Sequence, residues 1–230
     1  WTLVAEYDGE PNGMKFLNDR ELLIADYKNG LMVCEIASGV VRPYLERRNT
    51  QRFMGINDLV FDRQGHLYVT LGENNVRISA QYLDHHQGKV VRLWPDGTVP
   101  ADNPFVHDPD ALVDIWSYGH RNPQGAALNP WNGTIWENEH GPRGGDEVNI
   151  IERGKNYGWP LIHGFCDETF ENTPCATGLY TEPIHAWTPT IATSDLVYYD
   201  NPGFPEWDNR VLMVTLNGQR LVAMELDAST

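Results

Sequence analysis

The chain predicts an all-β propeller on three observations: a strand–turn–strand–strand pattern that recurs four times, turn dipeptides at the joints, and abundant aromatic residues and glycines. Its 230 residues include 8 Trp, 10 Tyr and 21 Gly, the composition of short pleated strands closed by tight turns. The first repeat is PNGMKFLNDRELLIAD from Pro11, followed by LMVCEI; the second is NDLVFDRQGHLYVT from Asn57, followed by GKVVRLW. The third is NPQGAALNPWNGTIWENE from Asn122, followed by EVNIIE, and the fourth is TSDLVYYDNPGFPEWDNRVLMVT from Thr193, followed by RLVAMEL. Alternation and β-branched content argue strand over helix in these segments, and the Asn-Asp, Gln-Gly, Asn-Gly and Asp-Gly pairs between them suit hairpins. Repeated four-stranded antiparallel units stack radially around a channel, here as four blades at a spacing of roughly 45–70 residues. The opening WTLVAEYD is expected to add the outermost strand of the last blade, after RLVAMELD, and so close the ring. One domain over residues 1–230 is long enough to bury a sizeable core.

With 32 acidic against 17 basic residues the net charge is −15, which argues against nucleic acid and anionic membrane as partners. No apolar run is long enough to span a bilayer, so no membrane insertion is expected. The acidity fits metal binding and a periplasmic or secreted location. Cys166 and Cys175 flank the polar loop DETFENTP and are expected to pair in an oxidising compartment. Cys34, within LMVCEI, reads as a small core residue. None of the three has a Cys or His partner at zinc-ligand spacing.

Residues 118–160 carry the densest chemistry: YGHRNPQG, EHGPRGGDEVN and NYGWP, separated by short apolar runs. Polar, glycine-rich loops between strands are where a rigid scaffold presents a binding site. Arg121 is permanently charged and forks onto carboxylates, and Asn122 and Gln124 add amides beside it. The glycines of HGPRGG let backbone carbonyls turn toward a ligand. Asp146 and Glu147 add carboxylate oxygens and Tyr157 a hydroxyl or carbonyl, the donor set a calcium ion selects. The residues alone leave two readings open, a charged ligand held with a hard cation, or salt bridges between Arg121 and Asp146–Glu147 over turn-forming glycines. His85 and His86 read as turn or packing residues, because neighbours on a strand face opposite ways. His120 and His140 read as hydrogen-bonding loop backbone, and Asn132-Gly as a hairpin turn.

These motifs, with the upstream HHQGKVVRLWPDGTVPADNPF and the downstream WTPTIATSDLVYY and FPEWDNRVLMVTLNGQRLVAMELD, resemble the soluble pyrroloquinoline-quinone (PQQ)-dependent aldose dehydrogenases, the glucose/sorbosone dehydrogenase family of six-bladed propellers. The resemblance covers about residues 75–227. It implies a PQQ- and Ca²⁺-dependent oxidoreductase that takes a hydride from C1 of an aldose, yields a lactone and passes electrons to an external acceptor. Carried over residue by residue, it places Arg121, Asn122, Gln124 and Thr190 against the quinone. It places the carbonyls of Gly141 and Pro142 on the Ca²⁺ that bridges to it, and Asp146, Glu147 and Tyr157 at a second, structural Ca²⁺. Trp187 is implied as a wall of the sugar pocket.

Three departures bear on activity. The family's catalytic histidine falls at Met54, whose thioether accepts no proton, so no catalytic base is assigned. The lysine expected within TLNGQRL is Asn217. Two further cofactor arginines belong to a blade beyond Thr230. In addition EPNGMKF, LLIADYKNGLMV and GINDLVFDRQGHLYVT resemble the gluconolactonase-type (SMP-30-like) propellers, which hydrolyse sugar lactones with one divalent metal, with Asn57 matching a metal-ligand asparagine. Residues 1–74 are therefore expected to be gluconolactonase-like and 75–230 dehydrogenase-like. The alternatives to sugar oxidation are metal-dependent lactone hydrolysis and a non-catalytic, truncated or chimeric propeller.

Overall fold

The computed structural model describes residues 1–45, 47–48 and 51–225. Its strands fall into four radial sheets, as the repeats predict. Blade one is β1 (Pro11–Phe16), β2 (Glu21–Asp26), β3 (Gly30–Glu35) and β4 (Val40–Leu45), paired in sequence order. A short ribbon, β5 (Arg47–Arg48) with β6 (Gln51–Arg52), leads to blade two. Blade two is β7 (Ile56–Phe61), β8 (Leu67–Leu71), β9 (Lys89–Leu93) and β10 (Ile115–Tyr118), and blade three is β11 (Pro123–Leu128), β12 (Ile135–Glu139), β13 (Asp146–Ile151) and β14 (His185–Trp187). Blade four shows β15 (Thr193–Tyr199), β16 (Arg210–Thr215) and β17 (Arg220–Glu225). The last residues of the RLVAMELD motif, 226 and 227, lie outside the described residues.

The apolar faces of these sheets meet between blades. Leu23, Ala25, Leu31 and Val33 of blade one pack on Ile56, Leu59, Leu67 and Val69 of blade two, sealed by Phe53. Val60, Tyr68 and Val90 of blade two meet Ala126, Ile135 and Ile151 of blade three. Ala127, Trp136 and Val148 of blade three meet Leu196, Val211 and Met213 of blade four. Each blade therefore has two apolar faces only where it is sandwiched, and the alternating patterns of β1 and β17 remain half exposed.

The first strand of each blade faces the axis. Asn12 and Gly13, Asn57 and Asp58, Gln124, and Ser194 with Asp195 together line a channel of 280 Å³. Gly13 is required there, because a Cβ at that position would come within 1.8 Å of Asp58 Oδ1. Burial raises the Asp58 pKa to about 7, against the nearby Lys15 ammonium, and Asp195 adds to the rise.

The expected ring closure by WTLVAEYD is corrected by the structure. Residues 1–8 form no strand and lie on blade one, where Ala5 and Tyr7 pack against Ile24, Met32 and Cys34. The Tyr7 hydroxyl and the Glu10 N–H both donate to Asp26, at 2.7 and 2.9 Å. That buried carboxylate gives the segment a closer partner than the far edge of blade four. Cys166 and Cys175 form the expected disulfide, and Cys34 is a buried thiol.

Candidate functional site

The loops leaving the inner strands converge above the channel. Arg121 and Asn122 lie just before β11, and the turn of residues 140–145 joins β12 to β13. Arg121 Nη1 donates to the His140 carbonyl at 2.8 Å, so the arginine loop and the Gly141–Pro142 corner are in direct contact. Glu139 holds the arginine loop from beneath. Its Oε2 accepts from the N–H groups of Arg121 and Asn122, at 2.5 and 3.1 Å.

The corner is held by a second carboxylate. Asp146 accepts from the N–H groups of Gly141, Ile191 and Ala192 at 2.9, 2.8 and 2.7 Å, and from the Thr190 hydroxyl. Asp146 was expected at a calcium ion; its oxygens are instead filled by these donors, and it clasps the corner to the loop before β15. Thr190 is thereby brought to the same corner, and Asn217 reaches its carbonyl at 3.1 Å. The Gly141 and Pro142 carbonyls accept no hydrogen bond among the described residues. Only glycine fits at 141, since a Cβ would stand 2.0 Å from the Gly144 carbonyl oxygen.

Beside the corner lies a cavity of 220 Å³ lined by Asn57, Glu73, Asn74, Arg121, Asn122 and Gln124, among others. Five expected residues (Arg121, Asn122, Gln124, Gly141 and Thr190) are thus tied together through this cavity and the Arg121–His140 and Asp146 contacts. The cavity also holds two unsatisfied charged atoms. Arg121 Nε and Glu73 Oε2 are buried with no hydrogen-bond partner among the described residues, a costly state unless a ligand completes it. Burial raises the Glu73 pKa, while Arg121 and Arg77 pull it down. The Arg121 guanidinium also stacks over Trp159 at 5.3 Å. Glu73 was missed in the sequence, where LGEN reads only as a strand end.

Asn57 is engaged by this machinery. Its amide donates to Asn122 Oδ1 at 3.0 Å and to the Pro123 carbonyl at 2.6 Å. Met54 is half exposed beside the cavity, its carbonyl accepting from the Asn74 amide.

Under the arginine loop lies a buried acidic box. In the β12–β13 ladder Glu137 pairs with Asn149 and Glu139 with Glu147, so period-two alternation sets all four side chains on one face. All four are buried. One amide, Asn149 Nδ2, lies 3.2, 3.4 and 3.0 Å from oxygens of Glu137, Glu139 and Glu147. Its two hydrogens cannot serve three carboxylates, and Glu137 Oε1 and Asn149 Oδ1 have no hydrogen-bond partner among the described residues. Burial raises the Glu139 pKa to about 7, against the N–H groups of Arg121 and Asn122. Burial, with the Glu139 charge next, raises the pKa values of Glu137 and Glu147 as well.

Atoms of His120, Glu137 and Glu139 lie within 4.8 Å of one another, close enough to share one metal ion. His120 was expected to bond loop backbone; instead Ser117 Oγ and Glu139 Oε1 face its two nitrogens at 2.9 and 3.3 Å, and its ring stacks on Tyr157. Burial lowers its pKa to about 3, keeping it neutral. A further void of 10 Å³ between Arg121, Glu139, Gly141, Glu147 and Tyr157 has about the volume one water-sized occupant requires.

Of the second expected calcium set, Glu147 lies in this box. The Tyr157 hydroxyl is corrected: it donates to the Ile150 carbonyl at 2.5 Å and accepts from the Glu152 N–H at 3.0 Å. Its carbonyl accepts no hydrogen bond among the described residues. The motifs E-x-E in TIWENE and E-x-N in DEVN, read with strand pairing, were the signal for Glu137, Glu139 and Asn149. Trp187, expected at a sugar pocket, packs in the core between blades three and four. His85 and His86 occupy a turn, His86 beside Asp114 at 3.1 Å.

Comparison with known proteins places these features in context. The model of the family described as Glucose / Sorbosone dehydrogenase matches residues 41–230. The chain is 44% identical over 173 residues to the aldose sugar dehydrogenase YliI of Escherichia coli K12, covering 74% of this chain and 47% of that protein. The crystal structure of the soluble aldose sugar dehydrogenase from Escherichia coli, in its apo-form, superposes with a TM-score of 0.79 at 33% identity, covering 99% of this chain and 73% of that one. The PQQ-bound aldose sugar dehydrogenase of Streptomyces coelicolor shares the fold, with a TM-score of 0.65 at 22% identity over 99% of this chain and 80% of that one. The chain spans about half the length of the curated relative from Escherichia coli that it matches.

Proposed function

This chain belongs to the glucose/sorbosone dehydrogenase family, and from that premise we propose that it is a PQQ- and Ca²⁺-dependent oxidoreductase that oxidises aldose sugars at C1 to lactones. The carrying observation is Arg121, whose Nε is buried without a partner among the described residues and whose Nη1 donates to the His140 carbonyl, next to Gly141 and Pro142, whose carbonyls accept no hydrogen bond among the described residues. A bidentate cation beside free carbonyl oxygens fits a carboxylate-bearing ring chelated to a hard metal. Arg121, Asn122, Gln124 and Thr190 would hold the quinone, and the Gly141 and Pro142 carbonyls its calcium. When bound, the quinone supplies the hydride acceptor.

The protein's own task is to place the sugar and to take the proton of its C1 hydroxyl. Met54 cannot do so. Glu73 is the carboxylate in the cavity with an open oxygen, and burial moves its pKa toward the working range of a general base. Arg121 and Arg77 pull the other way, favouring the carboxylate form that a base needs. The acidic box supports this floor: a second Ca²⁺ among Glu137, Glu139 and Glu147, with the Tyr157 carbonyl at hand, would fix Glu139 and through it the backbone of the arginine loop. We place the protein in the periplasm or outside the cell, consistent with its disulfide.

The test is sugar-dependent dye reduction with PQQ and Ca²⁺ added. Turnover that needs all three components supports the reading. Quinone that binds without turnover points to the non-catalytic alternative. Hydrolysis of gluconolactone that a chelator abolishes would instead favour the lactonase, although Asn57 spends its amide N–H groups on Asn122 and Pro123.

A further inference from the structure

Among the described residues, every one that lines the 220 Å³ cavity carries an amide or a charge except Tyr27. Tyr27 stands in the turn between β2 and β3 and is blade one's single contribution to that wall, beside Asn57, Glu73, Asn74, Arg121 and Asn122 among others. It lies outside residues 41–230, the span the family model matches, so the family likeness gives it no role. Its ring is 40% exposed, the one apolar surface open to a site otherwise made of amides and charges.

The ring is anchored at both ends of its residue. The Tyr27 hydroxyl donates to Asn74 Oδ1 at 3.1 Å, and the Tyr27 carbonyl accepts from the Gly55 N–H at 3.1 Å. The Asn74 amide in turn donates to the Met54 carbonyl at 3.3 Å. Asn74 and Asn75 have φ of +53° and +63°, a left-handed conformation that side chains other than glycine resist. Such strain persists where surrounding contacts over-determine it, and it clusters at ligand sites. The preceding residue is Glu73, whose N–H donates to the Arg121 carbonyl at 2.9 Å. One short segment therefore ties the Tyr27 ring, the open Glu73 carboxylate and the arginine loop together.

A cyclic sugar is the complement of this wall. Its C–H face covers an aromatic ring while its hydroxyls serve the amides and the unpartnered Glu73 oxygen. An open-chain polyol has the hydroxyls without a fixed apolar face. A planar anion would answer Arg121 but bring no hydroxyl to Glu73. We propose that Tyr27 is a specificity-determining residue that selects the ring form of the aldose, its side chain stacking on the sugar while Glu73 receives the C1 hydroxyl. The inference rests on the aldose-oxidising reading and deepens it, because the ring form is the one whose C1 hydroxyl oxidises directly to a lactone.

The experiment is calorimetric titration of the wild type, Tyr27→Phe and Tyr27→Ala. Glucose is titrated into the quinone-free chain. 1-Deoxyglucose, which has no C1 hydroxyl to oxidise, is titrated into the chain loaded with PQQ and Ca²⁺. Sorbitol, the open-chain counterpart, is titrated into both. Melting temperatures are matched first, and Tyr27→Leu replaces Tyr27→Ala should the latter melt lower. Tyr27→Ala is expected to weaken ring-sugar binding about three- to tenfold, the scale of one ring-stacking contact. Tyr27→Phe, which keeps the ring, should stay nearer the wild type, and sorbitol binding should not change.

Equal ring-sugar affinity in the wild type and Tyr27→Ala overturns the proposal. So does a loss as large for sorbitol, or a wild type that binds no ring sugar in either form. Absorbance titration of PQQ into the same proteins separates this proposal from its premise. Quinone binding that falls in Tyr27→Ala while sugar binding holds would assign the ring to the cofactor and overturn the proposal. Sugar binding that depends on Tyr27 in a chain that binds no quinone would keep Tyr27 and remove the dehydrogenase.

Discussion

Removing calcium should weaken this protein most at alkaline pH, and the acidic box sets the amount. Glu139 has its pKa raised from 4.5 to about 7 by burial. A carboxylate raised in the folded state leaves stability intact below its unfolded value, and that stability is lost as pH rises through the folded value. For Glu139 alone the shift corresponds to roughly 3 kcal/mol at pH 8, and Glu137 and Glu147 move in the same direction. A cation that pairs with these carboxylates removes this penalty. In a domain of this size roughly 3 kcal/mol corresponds to about 6–12 °C in melting temperature. The assay is calorimetric melting with calcium or chelator at pH 5 and pH 8. A calcium-dependent rise of that order is expected at pH 8 and a much smaller one at pH 5. Glu147→Gln should blunt the response, because it removes one charge from the box. Equal melting temperatures with calcium and chelator at pH 8 would refute a cation in the box. A response unaltered in Glu147→Gln would place the ion elsewhere.

Three further outcomes follow from single groups. Glu73→Gln should lower sugar-dependent turnover about 10²–10⁴-fold while quinone binding persists; unchanged turnover would remove Glu73 as the base. Asp58→Asn should stabilise the protein by about 2–4 kcal/mol at pH 8 and hardly at all at pH 4, because burial raises the Asp58 pKa to about 7; chemical denaturation at the two pH values reads this, and a pH-independent effect contradicts it. Lys89→Met should destabilise by roughly 3 kcal/mol in the same assay, since the ammonium serves the Ser79, Ala80 and Gln87 carbonyls at 2.9, 3.0 and 2.7 Å and methionine leaves all three without it.

Much of this was legible in the chain because strand alternation and turn chemistry are local. The four repeats became four sheets, and Asn132-Gly became a hairpin turn, because short-range patterns decide both. WTLVAEYD misled for the opposite reason. Its residues answer to distant partners on blade one, the apolar cluster under Ala5 and Tyr7 and the Asp26 carboxylate that takes the Tyr7 hydroxyl, and no local pattern announces the burial of that carboxylate. The site was legible where a motif concentrates it, as with Arg121 and Gly141. It was not where function is shared across a ladder. Glu137 and Asn149 are twelve residues apart in the chain yet directly opposite in the sheet, and only the register reveals that they share Glu139 and Glu147. Asp146 shows the limit of reading donors by type, since its oxygens were the right atoms already taken by backbone.

Arg121 and the Gly141–Pro142 corner are proposed to hold one anionic quinone through a shared calcium. Absorbance titration of PQQ into the metal-free chain, repeated with calcium and with Arg121→Ala, tests it directly. Saturable binding that requires calcium and weakens at least tenfold in Arg121→Ala, the cost of losing one charge-assisted pair, is the expected result. Binding indifferent to both calcium and Arg121, or no binding under any condition, would contradict the account.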